Sequence, residues 1–237
     1  MIIFYSIFYR DGWTTIYPYL KSITSSFQLL INIWIENEDK HKIYRDIKKE
    51  YSDALIIFST NVGKDIGGKL ALLDLSLQLN LKADFYIFLH DKKSPHSPFG
   101  NVWREKLFAI ITQENIQKIE KMFLKQKNLG IVGAKEFIKN EYDRKSENFN
   151  STSNKILKNL IQKYEFTSKK FCFIGGTMFW VRAEVFNNFF LKHPPLSIRE
   201  GLESGNVLDD QFGTQTHAWE RMLTWIAINQ GYSIKGI

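Results

Sequence analysis

The chain has 237 residues, of which 44% are hydrophobic and 15% aromatic, enough apolar material for one globular domain with a large core. Lysine and arginine number 32 against 25 acidic residues, so the net charge of +7 favours anionic partners. The sequence has no zinc-ligand spacing, no single-strand RNA-binding signature and no long block of like charges, which argues against nucleic acid. We expect an anionic small substrate and peripheral attachment to an anionic membrane surface.

The compartment is predicted from cysteine usage and from the start of the chain. Cys172 is the single cysteine, so it cannot form an internal disulfide; it is expected to be a buried, inert thiol in a reducing compartment. No apolar stretch approaches the roughly 20 residues that a spanning helix needs. The segment 1–10 lacks the basic flank and cleavage site of a leader, and is predicted to be a buried strand. We therefore expect a cytoplasmic protein, attached peripherally at the inner face of the cytoplasmic membrane.

Short apolar runs rich in β-branched and aromatic residues predict strands, separated by segments of helical length. The predicted strands are Ile2 to Phe8, Phe27 to Trp34, Ala54 to Phe58, Phe85 to Leu89, Leu129 to Val132 and Phe171 to Ile174. Predicted helices follow Gly68 and cover Ala183 to Leu191 and Thr216 to Asn229, and the polar stretch Lys139 to Lys170 is predicted to be an exposed, partly mobile excursion. This alternation indicates an α/β fold with a mostly parallel, Rossmann-like sheet flanked by helices.

Two polar segments follow predicted strands, at the edge where open α/β sheets bind ligands. In Asn61 to Gly68 the glycines allow a close backbone approach, and Lys64 and Asp65 bring opposite charges; an ordinary strand-to-helix connection is the alternative. The second segment comes directly after five apolar residues and consists of His90, Asp91, Lys92, Lys93 and Ser94. Its lysines can neutralise phosphate without a metal, whereas Asp91 with His90 or His217 could form a sparse Mn²⁺ site.

Two later segments complete the candidate site. Gly176 and Thr177 begin a block in which a sugar or acceptor could approach the backbone; in the same block Trp180 is either core or a stacking platform, and Arg182 pairs with phosphate or a carboxylate. His217 and Glu220 are three apart on the last predicted helix and share a face. The loop before this helix carries Asp209 and Asp210. The candidate catalytic residues are Asp210, Glu220 and His217, and Asp209 is a less favoured candidate for the general base.

The order of these motifs resembles the rhamnan synthesis F family of bacterial polysaccharide-assembly proteins. The motifs are Asn-x-Gly-x-Asp-x-Gly-Gly from Asn61, a His-x-Lys-x-Ser-like block at His90, Trp103-Arg104, Gly-Thr-Met-Phe-Trp and His-Ala-x-Glu-Arg, and the resemblance runs from about Ile2 to Gly231. The layout is also similar to that of GT-A glycosyltransferases.

The resemblance implies that Asn61, Lys64 and Asp65 lie near a nucleotide-sugar donor and the His90 to Ser94 block at its diphosphate. It puts Gly176 and Thr177 near the sugar, and His217 with Glu220 near the reaction centre. Two departures matter: His90-Asp91-Lys92 replaces the usual Asp-x-Asp, and Phe212-Gly213 stands where relatives carry an acid before the glycine. A requirement for Mn²⁺ or Mg²⁺ is left open.

The expected activity is inverting transfer of a sugar, rhamnose or another hexose, from a nucleoside diphosphate to a growing cell-surface polysaccharide. The acceptor is expected to be a glycan or a lipid-linked glycan. The alternative is a non-catalytic glycan-binding or scaffold domain that retains a transferase fold.

Overall fold

A computed structural model of the chain describes residues 1–91, 100–210 and 212–237. The strands are β1 (Ile2–Ile7), β2 (Gln28–Trp34), β3 (Leu55–Ser59), β4 (Phe85–His90), β5 (Leu129–Gly133), β6 (Ile138–Asn140), β7 (Tyr142–Asp143), β8 (Asn148–Phe149), β9 (Cys172–Ile174), β10 (Phe179–Arg182) and β11 (Ser233–Gly236). The helices are α1 (Gly12–Ser22), α2 (Lys40–Glu50), α3 (Lys64–Gln78), α4 (Gly100–Phe108), α5 (Gln113–Lys125), α6 (Asn154–Lys163), α7 (Ala183–Phe190), α8 (Pro195–Glu200) and α9 (Gln215–Asn229).

A seven-stranded sheet in the order β11-β5-β10-β4-β1-β2-β3 forms the centre of the described structure. All neighbouring strands are parallel except β10, which runs antiparallel to both β4 and β5. The reversal of β10 brings its first residue to the edge where β4 ends, since Phe179 pairs with Phe88 and Arg182 with Phe85. The turn before β10 therefore lies at the carboxyl edge of the parallel strands.

The sheet is covered on both faces, which explains why β1 and β4 are apolar almost without alternation. Helices α3, α7 and α9 pack on one face around Phe88, Phe179 and Trp219, and helices α1, α2 and α5 pack on the other around Tyr5, Ile87 and Trp180. This three-layer arrangement confirms the predicted α/β class with a mostly parallel sheet.

The structure differs from the sequence prediction in four places. Helix α3 begins at Lys64, so Gly67 and Gly68 lie inside the helix and not in a turn before it. The stretch 139–170 contains β7, β8 and α6, and its Phe149 and Leu157 belong to the buried core, so it is not a wholly exposed excursion. Strands β10 and β11 were not predicted. Cys172 is half-buried rather than buried.

Within the described ranges, no helix is long and apolar enough to cross a membrane.

Candidate functional site

The carboxyl edge of the sheet carries a small, open cleft with a volume of about 70 Å³. It is formed by the start of α3, the end of β4, the turn before β10 and the first turn of α9. The lining residues are Lys64, Asp65, Ile66, His90, Gly176, Thr177, Thr216, His217 and Glu220. Seven of the residues that the sequence analysis selected are thus brought together from four segments.

The turn that begins α3 is fixed by close backbone packing. A Cβ on Gly67 would come within 1.7 Å of the Val62 carbonyl oxygen, so only glycine fits there. Asn61 donates to the Asn206 side chain at 3.1 Å, and Lys64 Nζ donates to the Val207 carbonyl at 3.2 Å. The α3 turn and the 206–207 loop are therefore held together by side-chain hydrogen bonds.

A buried charge cluster lies beneath the cleft. Lys69 Nζ is 2.8 Å from Asp65 Oδ2, 3.0 Å from His90 Nδ1 and 3.0 Å from Thr177 Oγ1. Lys69 is only 2% exposed, whereas the Asp65 side chain is 26% exposed and reaches the cleft. The cluster thus joins α3, β4 and the turn before β10 through one ammonium group.

The environment of Asp65 keeps its carboxylate ionised. Burial opposes ionisation, but the charges of Lys69 and His90 and the hydrogen bonds from Lys69 and Thr177 outweigh it and lower the pKa of Asp65 far below its usual range. The Thr177 hydroxyl donates to Asp65 Oδ2 at 2.5 Å. Asp65 therefore presents a fixed negative charge to the cleft, suited to accept hydrogen bonds.

Thr177 adopts a backbone conformation that β-branched residues rarely take. Its φ is +51°, directly after Gly176 at +78°. A non-glycine residue in this region costs about 1–3 kcal/mol and persists where its surroundings require it. Here the conformation is accompanied by the hydrogen bonds of the Thr177 hydroxyl to Lys69 and Asp65.

His217 stands in the first turn of α9. The hydroxyl of Thr214 caps this helix by accepting from the His217 backbone N–H at 3.1 Å, and it lies 2.6 Å from His217 Nδ1. Burial lowers the pKa of His217, and the charge of Lys64 lowers it further, while nearby Asp209 and Glu220 raise it; the net direction is downward. The ring is therefore neutral at pH 7, with Nδ1 held by Thr214.

Glu220 fixes the turn before β10. Its Oε1 accepts from the Gly176 backbone N–H at 2.7 Å, and its Oε2 accepts from Arg221 at 2.7 Å. Arg221 also binds Glu141 through two hydrogen bonds, of 3.0 and 2.8 Å. Both oxygens of Glu220 are thus engaged in holding the cleft wall.

Two residues predicted to bind sugar or acceptor do not reach the cleft. Trp180 is fully buried in the middle of β10 and donates its indole N–H to the Ile110 carbonyl at 3.0 Å, so it is core and not a stacking platform. Arg182 ends β10 at the opposite edge of the sheet, where it donates to the carbonyls of Phe123, Gln126 and Leu129. The antiparallel direction of β10 separates Arg182 from Thr177.

Two acidic residues that the sequence analysis selected, Asp91 and Asp210, do not line the cleft either. The Asp91 carboxylate accepts from the backbone N–H groups of Phe8 and Tyr9, at 2.9 and 2.6 Å for Oδ2, and so shapes the turn after β1. Asp210 is exposed and accepts from the Phe212 N–H in its own loop, away from the cleft lining. Lys92, Lys93 and Ser94 lie outside the described residues.

A divalent metal does not fit the described part of this site. The ranges 1–91, 100–210 and 212–237 contain no group of three His, Cys, Asp or Glu side chains able to hold a metal ion. Asp91 and His217, the predicted ligands, each have a structural partner, in the turn after β1 and in Thr214 respectively. The cleft pair of Asp65 and His90 already shares the Lys69 ammonium.

Two structural residues of the site were missed from the sequence. Lys69 is a charged residue in an otherwise apolar helical run, four positions after Asp65, and this spacing was the available signal. Glu203 accepts from the backbone N–H groups of Gln215 and Thr216 at 2.6 and 2.9 Å, while its own carbonyl accepts from Gly63 at 2.7 Å. Glu203 therefore joins the α3 turn to the start of α9, a contact that no local pattern indicates.

The fold and the cleft define an α/β protein with a polar site at the carboxyl edge of a mostly parallel sheet. A sequence model described as rhamnan synthesis protein F matches residues 1–232. The chain belongs to this family, which confirms the resemblance seen in the sequence.

No curated protein matches the chain. Among solved structures, similarity is found to "Mannosyltransferase PcManGT from Pyrobaculum calidifontis in complex with GDP-Man and Mn2+", with a TM-score of 0.46 and 12% identity. That match covers 100% of this chain and 54% of the mannosyltransferase chain, so the present chain spans about half of that protein's length.

Proposed function

We propose that this protein is a GT-A-like glycosyltransferase that moves a hexose or deoxyhexose from a nucleoside diphosphate sugar to a growing cell-surface polysaccharide. Membership of the rhamnan synthesis protein F family supports a role in polysaccharide synthesis. The observation that carries the proposal is the convergence of Lys64, Asp65, Thr177, His217 and Glu220 in one cleft at the carboxyl edge of the sheet. The acceptor is a glycan or a lipid-linked glycan at the inner face of the cytoplasmic membrane.

The donor diphosphate is proposed to lie against the start of α3. Lys64 lines the cleft there, and the amino end of a 15-residue helix carries a partial positive charge. Lys92, Lys93 and Ser94 follow His90 and Asp91 in sequence and are proposed as further phosphate contacts. The net charge of +7 supports binding of an anionic donor and peripheral attachment to anionic lipid.

The sugar is proposed to lie over Asp65 and the Gly176 turn. Asp65 Oδ2 holds Lys69 and Thr177, and the ionised carboxylate reaches the cleft, where it can accept from a sugar hydroxyl. Gly176 leaves backbone within reach of the ring, and Glu220 fixes that backbone.

His217 is proposed as the general base of an inverting transfer. The acceptor oxygen forms a bond to the anomeric carbon, the bond from that carbon to the diphosphate breaks, and the hydroxyl proton passes to His217 Nε2. Thr214 Oγ1 can accept from Nδ1–H, which leaves the Nε2 lone pair for that proton. A neutral ring suits this role, and the charges of Asp209 and Glu220 stabilise the imidazolium that forms. Glu220 is the less suited base because both of its oxygens already accept hydrogen bonds.

Turnover by a His217→Asn variant tests the proposal. Asparagine can keep a hydrogen bond to Thr214 but cannot accept the proton, so turnover should fall by about 10²- to 10⁴-fold while donor binding persists. His41→Asn is the matched control, because His41 is exposed on α2. Saturation-transfer NMR across a panel of nucleoside diphosphate sugars identifies the donor first. Donor binding with unchanged turnover in His217→Asn contradicts the assigned base, and glycan binding without any donor binding favours the scaffold alternative.

A further inference from the structure

We infer that the Lys69 ammonium is a resident cation beneath this cleft and that it occupies the space between Asp65 and His90 in which a divalent metal would otherwise be held. Lys69 contacts Asp65 and His90, two of the four cleft side chains that are chemically able to ligate a metal; the other two, His217 and Glu220, are held by Thr214 and by Gly176 and Arg221. The inference rests on the proposed function only for the identity of the donor; the cation site itself is argued from geometry.

The contacts of Lys69 form a tripod. Asp65 Oδ2 and Thr177 Oγ1 accept from Lys69 Nζ at 2.8 and 3.0 Å, and His90 Nδ1, 3.0 Å from Nζ, accepts when the ring is neutral with its proton on Nε2. These are carboxylate, imidazole and hydroxyl donors, the set that Mn²⁺ accepts in proteins. The distances of 2.8 to 3.0 Å are those of charge-assisted hydrogen bonds, longer than the 2.0–2.2 Å of Mg²⁺ or Zn²⁺ to oxygen.

The charge balance of the tripod also opposes a metal. Asp65 contributes one negative charge and Lys69 one positive charge, so the pair is neutral overall. A divalent ion would have to displace an ammonium group that is 2% exposed and leave it without its carboxylate partner. His90 Nδ1 lies 3.6 Å from Asp65 Oδ2, and the Lys69 ammonium lies within 3.0 Å of both atoms, so an ion bound by the pair would have to replace it.

The tripod gives the site a fixed cation that needs no loading. Lys69 reaches the cleft indirectly, by orienting Asp65 and Thr177, which line it. Lys69 is therefore a positioning residue, and donor binding should be independent of divalent metal.

Titration of Mn²⁺ against the whole protein, followed by electron paramagnetic resonance of the free ion, tests the inference without using activity. The variants are Lys69→Met, which keeps the length of the side chain without its charge, Lys69→Arg, which keeps the charge, and Lys118→Met as an exposed control on α5. Wild type, Lys69→Arg and Lys118→Met should leave the Mn²⁺ signal unchanged. Lys69→Met should lower the free Mn²⁺ signal at concentrations where the wild type leaves it unchanged, because the positive charge between the two ligands has been removed. The added change His90→Ala should abolish that gain.

Tight Mn²⁺ binding by the wild type that is lost in Asp65→Asn would overturn the inference. So would a folded Lys69→Met variant, judged by circular dichroism, that gains no affinity for Mn²⁺. If Lys69→Met does not fold, the titrations of wild type and Asp65→Asn decide the question alone. Failure of every nucleotide sugar to turn over would contradict the proposed function and leave the Mn²⁺ result standing.

Discussion

Replacing Asp65 by asparagine should destabilise the protein strongly, because it removes the carboxylate partner of the buried Lys69 ammonium. The two charged groups lie 2.8 Å apart, where an effective dielectric constant of about 20 gives a gross attraction of about 6 kcal/mol. Desolvation offsets part of this attraction, and removing one partner of a buried pair costs about 3–5 kcal/mol in measured cases. For a chain of this size that loss corresponds to a fall of roughly 6–20 °C in Tm.

Thermal unfolding followed by circular dichroism measures this cost. Glu114→Gln is the matched control, because Glu114 and Lys118 form a pair with the same four-residue spacing on exposed α5. It should leave Tm unchanged within error. The double variant Asp65→Asn with Lys69→Met should recover much of the lost stability, since no buried charge remains. An Asp65→Asn variant that melts with the wild type would refute the claim that Lys69 and Asp65 form a buried ion pair.

The pH dependence of this difference has a defined sign. The native pKa of Asp65 is far below the unfolded value of about 3.9, so the unfolded state binds the proton first as the pH falls. The contribution of Asp65 to stability is complete above about pH 4 and is lost progressively below it. The difference in Tm between wild type and Asp65→Asn should therefore narrow in acid.

Further predictions concern the rest of the site, the core and the membrane. Because burial lowers the pKa of His217, turnover should stay level near neutral pH and fall only below the ordinary histidine pKa of about 6.5; a fall that begins above pH 7 in a pH–rate profile would exclude it as the base. Glu220→Gln should lower kcat/KM by about 10- to 100-fold through a loosened Gly176 turn, whereas a collapse of kcat alone by 10³-fold or more would mark Glu220 as the base. Trp180→Phe should cost about 1–3 kcal/mol in thermal unfolding, through the lost indole hydrogen bond and packing, with unchanged KM for the donor. The net charge of +7 predicts sedimentation with anionic vesicles that weakens as salt rises, and binding indifferent to salt would reject electrostatic attachment.

The central strands could be predicted from the sequence because local apolarity determines them. Strands β1, β2, β4 and β5 are continuous apolar runs that are buried on both faces, and their observed limits differ from the predicted ones by a residue or two. Strand β11 (Ser-Ile-Lys-Gly) has one apolar residue and forms only because β5 offers a free edge. Its pairing is a tertiary effect that composition does not reveal.

Isolated apolar residues explain the misjudged stretch 139–170. Phe149 is flanked by asparagines, yet it stacks on Trp225 at a centroid distance of 5.2 Å and packs against Phe171. The amphipathic face of α6 buries Leu157 and Leu160 in a segment that is otherwise polar. The polar composition of the stretch as a whole therefore gave no indication that Phe149, Leu157 and Leu160 are buried.

The site was predicted in outline, because polar residues at the ends of parallel strands meet at one edge. What could not be predicted was the interior of the cluster. Lys69 contacts His90 and Thr177, which are 21 and 108 residues away in sequence, and only the fold brings them together. The antiparallel direction of β10 could not be predicted from the sequence either. Because of this direction, Thr177 lies at the cleft and Arg182 lies at the other end of the strand.

The most direct test of the proposed function is detection of the transferred sugar. Purified protein is incubated with the bound nucleotide sugar and a lipid-linked or free glycan acceptor, and the acceptor is examined by mass spectrometry. The account predicts an acceptor heavier by one sugar residue, with release of the nucleoside diphosphate. The product should be retained with the His41→Asn protein and strongly reduced with His217→Asn. An acceptor of unchanged mass with every donor that binds the cleft would contradict it.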